Sequence, residues 1–391
     1  MAQLTVSTIA AVSAYNRATL SGETRLVMQD AIAAALEKKD FRTAAKLLQQ
    51  WKQQDAKDPK FLLMAGHYQA ATGHWEQAEK TYLAILRQVT NAKVMSQARQ
   101  GIQRVQASVT QAKEQALETA RAQPEGQAPG LMCLEPVTGE QRQTAAQGLA
   151  KVMGIDAYMA RLQIPSRGWR LYRVGPIGDL QYYSQALTAA QTPAFWVKQA
   201  DIKQLQIFRV QNFQRVQSQA EVICTNAEGQ VGAIAFDWSE VSQIVRGQIP
   251  VFESVVDVGA WRKLKRAEKT QDYAEVIDLH CHARRCILRL CDRTYDFRKG
   301  NPLPNADAIP DKGLSMRPQW QALVQYIRAQ VHGPMHDGFT KFGDNAMELI
   351  DLLPPLNPQI DIVRMKESNW DPAFHLYSGL HFIRYAEAAV A

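Results

Sequence analysis

Long apolar runs are what this sequence most clearly lacks. Its apolar stretches are interrupted by Gln, Arg or Lys within about ten residues, whereas a helix needs roughly 20 apolar residues to cross a bilayer. We therefore expect no transmembrane helix. The segment Met1–Val6 also lacks the basic residues that open a secretory signal, so the sequence predicts a cytoplasmic protein.

Cysteine is scarce, and its count is odd. Five cysteines in 391 residues do not suggest a disulfide framework, so we expect reduced thiols. The sequence also contains no P-loop, no GxGxxG, no GxSxG and no HExxH motif. We therefore predict that the protein is not an enzyme and has no cofactor.

Charge of one sign is in only modest excess. The net charge is +7 with a pI near 9.1, and the basic residues are scattered along the chain. With 46% hydrophobic and 21% charged residues, the composition is that of a folded globular protein. The length predicts two to four domains, and we expect a multidomain α+β protein.

One pattern occurs twice at a fixed offset of 34 residues. Phe41, Ala44 and Leu48 recur as Trp75, Ala78 and Tyr82. The surrounding sequence, from position 12 to about 120, is rich in helix-forming residues and has almost no strand pattern. We therefore expect paired helices, with small residues where the helices touch.

This pattern resembles the tetratricopeptide-repeat family over residues 25–90. The matching positions are Gly66, Gly73, Trp75, Ala78 and Tyr82. The family's tyrosine is displaced by one position, and no proline follows the second helix. The resemblance implies a helical domain over residues 1–121, with capping helices at 5–19 and 91–120.

The same resemblance implies that the helical domain binds a partner protein. Such arrays bind extended or helical peptides in a groove that is built from the first helix of each hairpin. Four polar residues on the first helices are therefore our candidates for partner contacts: Arg25, Gln29, His67 and Gln69.

Residues 122–130 have the Pro/Gly/Gln content of a linker, and a βαββαβ order follows over 131–200. The strands are expected at 131–137, 157–162, 169–174 and 194–197. The runs 172–177 and 192–197 resemble the second half of a sporulation-related repeat (SPOR) domain, which implies a ferredoxin-like α+β domain.

Residues 201–298 show the alternation of half-buried strands. We expect a small antiparallel, pleckstrin-like β domain here, with a short helix or turn at 238–245, a strand at 251–256 and a hairpin at 273–291. A linker over 299–314 and a helical segment over 315–391 complete the chain. The histidines of that segment, His332, His336, His375 and His381, are interpreted as packing or surface residues.

The stretch His280–His282, with Cys286 and Cys291, has metal-ligand chemistry. However, it contains no CxxC pair, and on a strand Cys286 and Cys291 would point to opposite faces. We therefore predict structural cysteines and no bound metal.

Two functions are consistent with the sequence. The first is a non-catalytic adaptor or assembly factor that binds a partner through its helical array. The alternative is binding to nucleic acid or to an anionic membrane surface through the basic run Arg262–Arg266, which would otherwise be a solvated helix face.

Overall fold

The computed structural model describes residues 22–258, 264–300, 316–364 and 368–390. The capping helix predicted at 5–19, all but the first two residues of the linker predicted at 299–314, and Arg262 and Lys263 of the basic run lie outside these ranges. The chain divides after Ala116 into two compact units. The architecture is mixed α+β.

The first unit is built from helices. Their bounds are α1 Gly22–Glu37, α2 Phe41–Gln54, α3 Pro59–Ala71, α4 Trp75–Gln88 and α5 Ala92–Arg121, whose last residues belong to the second unit. Local chemistry sets the starts of these helices. The side chain of Asp40 accepts a hydrogen bond from the amide of Thr43 at the start of α2. At the start of α3 the side chain of Asp58 accepts one from the amide of Lys60, and Pro59 occupies the first helical position.

The repeat in the sequence is also a repeat in the backbone. Helices α2 and α4 each have 14 residues and begin 34 positions apart. The turns before them match, because Lys39 and Gly73 both have positive φ, 56° and 80°. The next amides, of Asp40 and His74, both donate to the carbonyl five residues earlier at 2.8 Å.

Small residues lie at the helix contacts, as predicted. Ala44 and Ala78 are fully buried. The ring of Tyr82 lies between Gly66 and Gly101, where an added Cβ would come within 2.5 and 2.6 Å of ring atoms. The close approach of α3, α4 and α5 therefore depends on these two glycines.

The second unit contains a three-stranded antiparallel sheet in the order β2-β1-β3. Its strands are β1 Pro129–Leu134, β2 Arg170–Pro176 and β3 Ala194–Lys198. Four helices belong to this part of the chain: α6 Gln141–Met153, α7 Ala157–Gln163, α8 Ile177–Ala189 and α9 Gln199–Lys203.

The strand predicted at 157–162 is wrong, because these residues form helix α7. The carboxylate of Asp156 accepts hydrogen bonds from the amides of Tyr158 and Met159 and so starts a helix. The apolar residues that suggested a strand are exposed, except for the buried Ala160. The element order is therefore βααβαβ.

A seven-stranded sheet forms the rest of the second unit, in the order β10-β7-β8-β9-β4-β5-β6. Its strands are β4 Gln206–Arg215, β5 Gln219–Thr225, β6 Val231–Asp237, β7 Gln243–Val258, β8 Leu264–Cys281, β9 Cys286–Cys291 and β10 Met335–His336. The helices α10 Arg317–Gln330, α11 Phe339–Ile350 and α12 Trp370–Val390 accompany it.

This sheet differs from the expected antiparallel domain in two ways. First, it is mixed, because β4 pairs with β9 and β10 pairs with β7 in parallel, and β10 comes from the segment expected to be only helical. Second, the short helix or turn predicted at 238–245 is confined to the 3-10 turn Trp238–Glu240, and β7 then runs as one strand from Gln243, where the sequence predicted a separate strand only at 251–256. Gly247 does not break it, because its missing Cβ leaves room for Phe339 and Phe374.

The second unit is layered around the large sheet. Helices α11 and α12 share a core with the three-stranded sheet and with one face of β7, β8 and β9. Helix α10 packs on the other face through Trp320, Leu323 and Ile327. Among the described residues, no helix combines the length and apolar character needed to span a bilayer.

Candidate functional site

The structure places the four predicted partner-binding residues on two helices of the first unit. Arg25 and Gln29 lie on α1, and His67 and Gln69 lie on α3. The two helices contact each other. All four side chains are half-buried, so their individual contacts decide which groups are still available to a partner.

Arg25 is used within the unit. Its guanidinium lies 3.5 Å from the carboxylate of Asp58 and 3.6 Å from that of Asp55. Asp58 is buried and caps α3, so this ion pair joins α1 to the start of the next hairpin. The position of Arg25 therefore supports packing, and its charge is largely compensated.

Gln69 is also engaged. Its side-chain oxygen accepts a hydrogen bond of 2.8 Å from the hydroxyl of Thr81 on α4. This bond directs the amide toward the second helix of the same hairpin. Gln69 is therefore less available to a partner than Gln29, although both were predicted as partner contacts.

His67 has a polar atom without a partner. Its Nε2 is buried and makes no hydrogen bond in the part of the chain that the structure describes. The ring lies 5.9 Å from that of Tyr82. Burial, and then the nearby charge of Arg104, lowers the pKa of His67, so the imidazole is neutral near pH 7.

Arg104 adds a cation that the sequence analysis did not select. It lies exposed on α5, close enough to His67 and Tyr82 for its charge to act on both groups. The sequence analysis predicts α5 as a capping helix. Gly101 of α5 packs on Tyr82 as Gly66 of α3 does, so α5 belongs to the same helix contact. The polar residues that follow Gly101 are the sequence signal that could have identified Arg104.

Two histidines of the second unit, His336 and His381, form a stack with Trp169 that the sequence did not predict. The rings of His336 and His381 are stacked at 3.9 Å, and Trp169 stacks on His381 at 4.2 Å. The edge of Tyr377 meets the ring of His381 at 4.6 Å. These four residues line a cavity of about 530 Å³, with Arg167 and Lys341 among its exposed residues. His375 is buried elsewhere, and His332 is exposed.

A chain of buried hydrogen bonds connects this stack to the centre of the sheet. Gln243 accepts from His336 Nε2 at 3.2 Å and donates to His280 Nδ1 at 2.8 Å. The other nitrogen of His280 donates to Ser378 at 2.9 Å, and Ser378 donates to Asp278 at 2.5 Å.

The order of these bonds does not activate the serine. In a catalytic triad the carboxylate orients the imidazole, which accepts the serine proton. Here Asp278 accepts from Ser378 and from the buried Arg289, and His280 is a donor to the serine. Burial also keeps the pKa of His280 well below its usual value. We interpret this network as the polar core of the fold.

The cysteines are buried in two different cores. Cys281 and Cys286 lie in the core under α10, and Cys291 lies in the core under α11 and α12. The prediction that Cys286 and Cys291 point to opposite faces is confirmed. Among the described residues, no group of three or more His, Cys, Asp or Glu side chains is arranged to hold a metal ion.

The described part of the basic run lies on a strand. Leu264, Lys265 and Arg266 belong to β8 and pair with Val258, Asp257 and Val256 of β7. The interpretation as a helix face is therefore wrong for these three residues.

Comparison of the chain with protein-family models, with curated proteins and with solved structures finds no match. The function is therefore argued from the geometry of the chain itself.

Proposed function

We propose that this protein is a non-catalytic adaptor whose helical unit binds a segment of a partner protein. The observation that carries the proposal is that the exposed cation of Arg104 lies near His67, whose buried Nε2 has no hydrogen-bond partner among the described residues. A partner carboxylate would supply an acceptor for the guanidinium and compensate its charge. We therefore propose an acidic side chain in the bound segment.

The fold proposed for the helical unit is a tetratricopeptide-like array. The 34-residue repeat of helix length, turn conformation and buried small residues supports this assignment. In such an array α1, α3 and α5 would form the binding groove, because they are the first helices of successive units.

Helix α1 would add an apolar contact to this groove. Leu26 is 50% exposed and lies three residues before Gln29, so both occupy one face of the helix. We propose that the bound segment places an apolar side chain on Leu26 and a polar group on Gln29. Its acidic residue would then lie at Arg104.

For the second unit we propose an accessory role in a cytoplasmic protein. The order β2, α8, β3 follows the predicted SPOR-like half, and strands β4 to β9 fall within the segment proposed to be pleckstrin-like. These two assignments rest on element order and are proposed for the fold alone.

The test is affinity capture with tagged full-length protein from cells of its source, quantified by mass spectrometry. The variant Arg104→Glu reverses the charge at the proposed site. Arg99→Glu makes the same change at an exposed position on another face of α5 and serves as the control. We expect specific proteins to be recovered with the unchanged chain and with Arg99→Glu, and to be lost with Arg104→Glu. Equal recovery with both variants would contradict the proposed site.

A further inference from the structure

Cys281 and Cys286 face each other across the last pair of the β8–β9 ladder. They are direct partners in the antiparallel register, on either side of the turn that joins the two strands. Directly opposed residues in such a ladder have Cα atoms about 4.5 to 5.5 Å apart, and disulfides form at about 4.4 to 6.8 Å. The backbone therefore already holds these cysteines at a spacing that a disulfide accepts.

The two thiols also interact with each other, and unequally. The hydrogen bond with Cys286 is the main cause that raises the pKa of Cys281, with burial second. The same hydrogen bond lowers the pKa of Cys286, helped by the nearby charge of Arg284 and opposed by burial. Cys286 is therefore the thiol that ionises first, with the Cys281 S–H as its donor.

We propose that Cys281 and Cys286 form a reversible redox site that a peroxide oxidises to an intrachain disulfide. The thiolate of Cys286 attacks one peroxide oxygen, the O–O bond breaks, and a sulfenic acid remains on Cys286 after the leaving hydroxide takes a proton. The sulfur of Cys281 then attacks Cys286, the S–O bond breaks, and water leaves with the Cys281 proton. In total, two thiols and one hydrogen peroxide give one disulfide and two waters.

Burial selects the oxidant. The exposed fractions of Cys281 and Cys286 are 1% and 4%, so a small peroxide reaches them more readily than a protein disulfide. The turn between them carries Arg285 at a φ of 53°, in the left-handed region that non-glycine residues rarely occupy. Opening of this turn is the step that would expose Cys286.

The disulfide would fix a turn that holds other elements. His282 stacks on Phe382 of α12 at 4.1 Å, and Arg284 binds the carboxylate of Glu240 at 2.5 Å. Cys224 is a competitor, because it is buried in the same core and the charge of Cys286 acts on it.

The experiment treats the reduced full-length protein with hydrogen peroxide, blocks the remaining thiols with N-ethylmaleimide and digests it with trypsin without reduction. Arg284 and Arg285 lie between the two cysteines, so trypsin separates them unless a disulfide joins the peptides. We expect the peptide ending at Arg284 to be linked to the peptide 286–289, with a mass two hydrogens below their sum. Dithiothreitol should release both.

The variants make the assignment specific. Cys281→Ser should abolish the linked pair and leave Cys286 at the sulfenic acid or beyond, whereas Cys291→Ser should leave the linked pair unchanged. Peroxide that oxidises Cys286 without forming the link in the unchanged protein would overturn the proposal. So would a dominant link between Cys224 and Cys286, or a link that forms only after denaturant is added.

Discussion

A Cβ atom placed on Gly66 would lie 2.5 Å from Cε1 of Tyr82. Tyr82 is almost fully buried and belongs to the second helix of its hairpin, so it cannot move away without opening the unit. The contact links the repeat in the sequence to the packing of the helices.

We predict that Gly66→Ala destabilises the helical unit by about 1 to 3 kcal/mol, because the added methyl overpacks the contact with Tyr82. Urea unfolding followed by circular dichroism measures this as a lower midpoint. Gly232→Ala is the matched control, since its Cβ meets nothing within 4 Å and its φ is not positive. Equal midpoints for the two variants would show that the contact is looser than described.

The buried ion pair between Arg289 and Asp278 gives a second prediction. The guanidinium of Arg289 contacts both oxygens of Asp278, and both side chains are nearly inaccessible. Arg289→Met should cost about 3 to 5 kcal/mol, because it leaves a buried carboxylate uncompensated. The exposed pair of Lys80 and Glu76 offers the control, and Lys80→Met should change the unfolding free energy by less than about 1 kcal/mol. A small effect at Arg289 would contradict the network.

Acid should weaken the second unit through its buried histidines. Burial lowers the pKa of His381 to about 2, with a smaller contribution from His336. The folded state therefore keeps this imidazole neutral, while the unfolded chain binds a proton below its ordinary pKa near 6.5. The folded state is therefore fully favoured by the neutral His381 above about pH 6.5. This contribution to the free energy of unfolding is lost as the pH falls from about 6.5, where the unfolded chain takes up a proton, toward 2, where the folded chain does.

We expect the free energy of unfolding to fall between pH 7 and pH 5, with a smaller slope in His381→Phe. The difference in slope should approach about 1.4 kcal/mol per pH unit for the one proton removed. Urea titrations at a series of pH values measure both slopes. An unchanged slope in His381→Phe would show that the buried imidazole does not contribute this linkage.

The salt dependence of binding distinguishes a protein adaptor from a protein that binds nucleic acid or an anionic membrane surface. Binding through phosphate groups weakens steeply between about 50 and 200 mM salt, because bound counterions are released. A groove with an apolar contact at Leu26 and one charged contact at Arg104 should lose little affinity over that range. Capture of proteins at both salt concentrations supports the adaptor. Recovery of nucleic acid alone, and only at low salt, would support binding through Arg262–Arg266.

Local patterns determined how much could be predicted. The hairpins were found because their buried positions and turns repeat along the chain. Helix α7 was missed because most of its apolar residues are exposed, so their spacing does not distinguish a helix from a strand. The capping side chain of Asp156 is what starts the helix. Strand β7 was divided because the turn predicted at 238–245 extends into its first residues and the separate strand was expected only from 251. The contacts of Phe339 and Phe374 at Gly247, inside the continuous strand, depend on tertiary packing.

The histidine stack could not be found by spacing. Trp169, His336 and His381 come from three distant parts of the chain, and only the packing of α12 on the sheets brings their rings together. Arg104 was missed for a related reason. Its importance depends on α5 packing beside α3, and the sequence indicated only a cap there.

The adaptor proposal is tested most directly by photo-crosslinking within the groove. A photoreactive amino acid at Gln29, in tagged full-length protein expressed in its source cells, should crosslink to a distinct partner protein. The same probe at Lys46, exposed on α2, serves as the control and should not form that crosslink. Arg104→Glu should remove the crosslink from Gln29. The same products from both positions, or products containing only nucleic acid, would contradict the claim that this groove binds a partner protein.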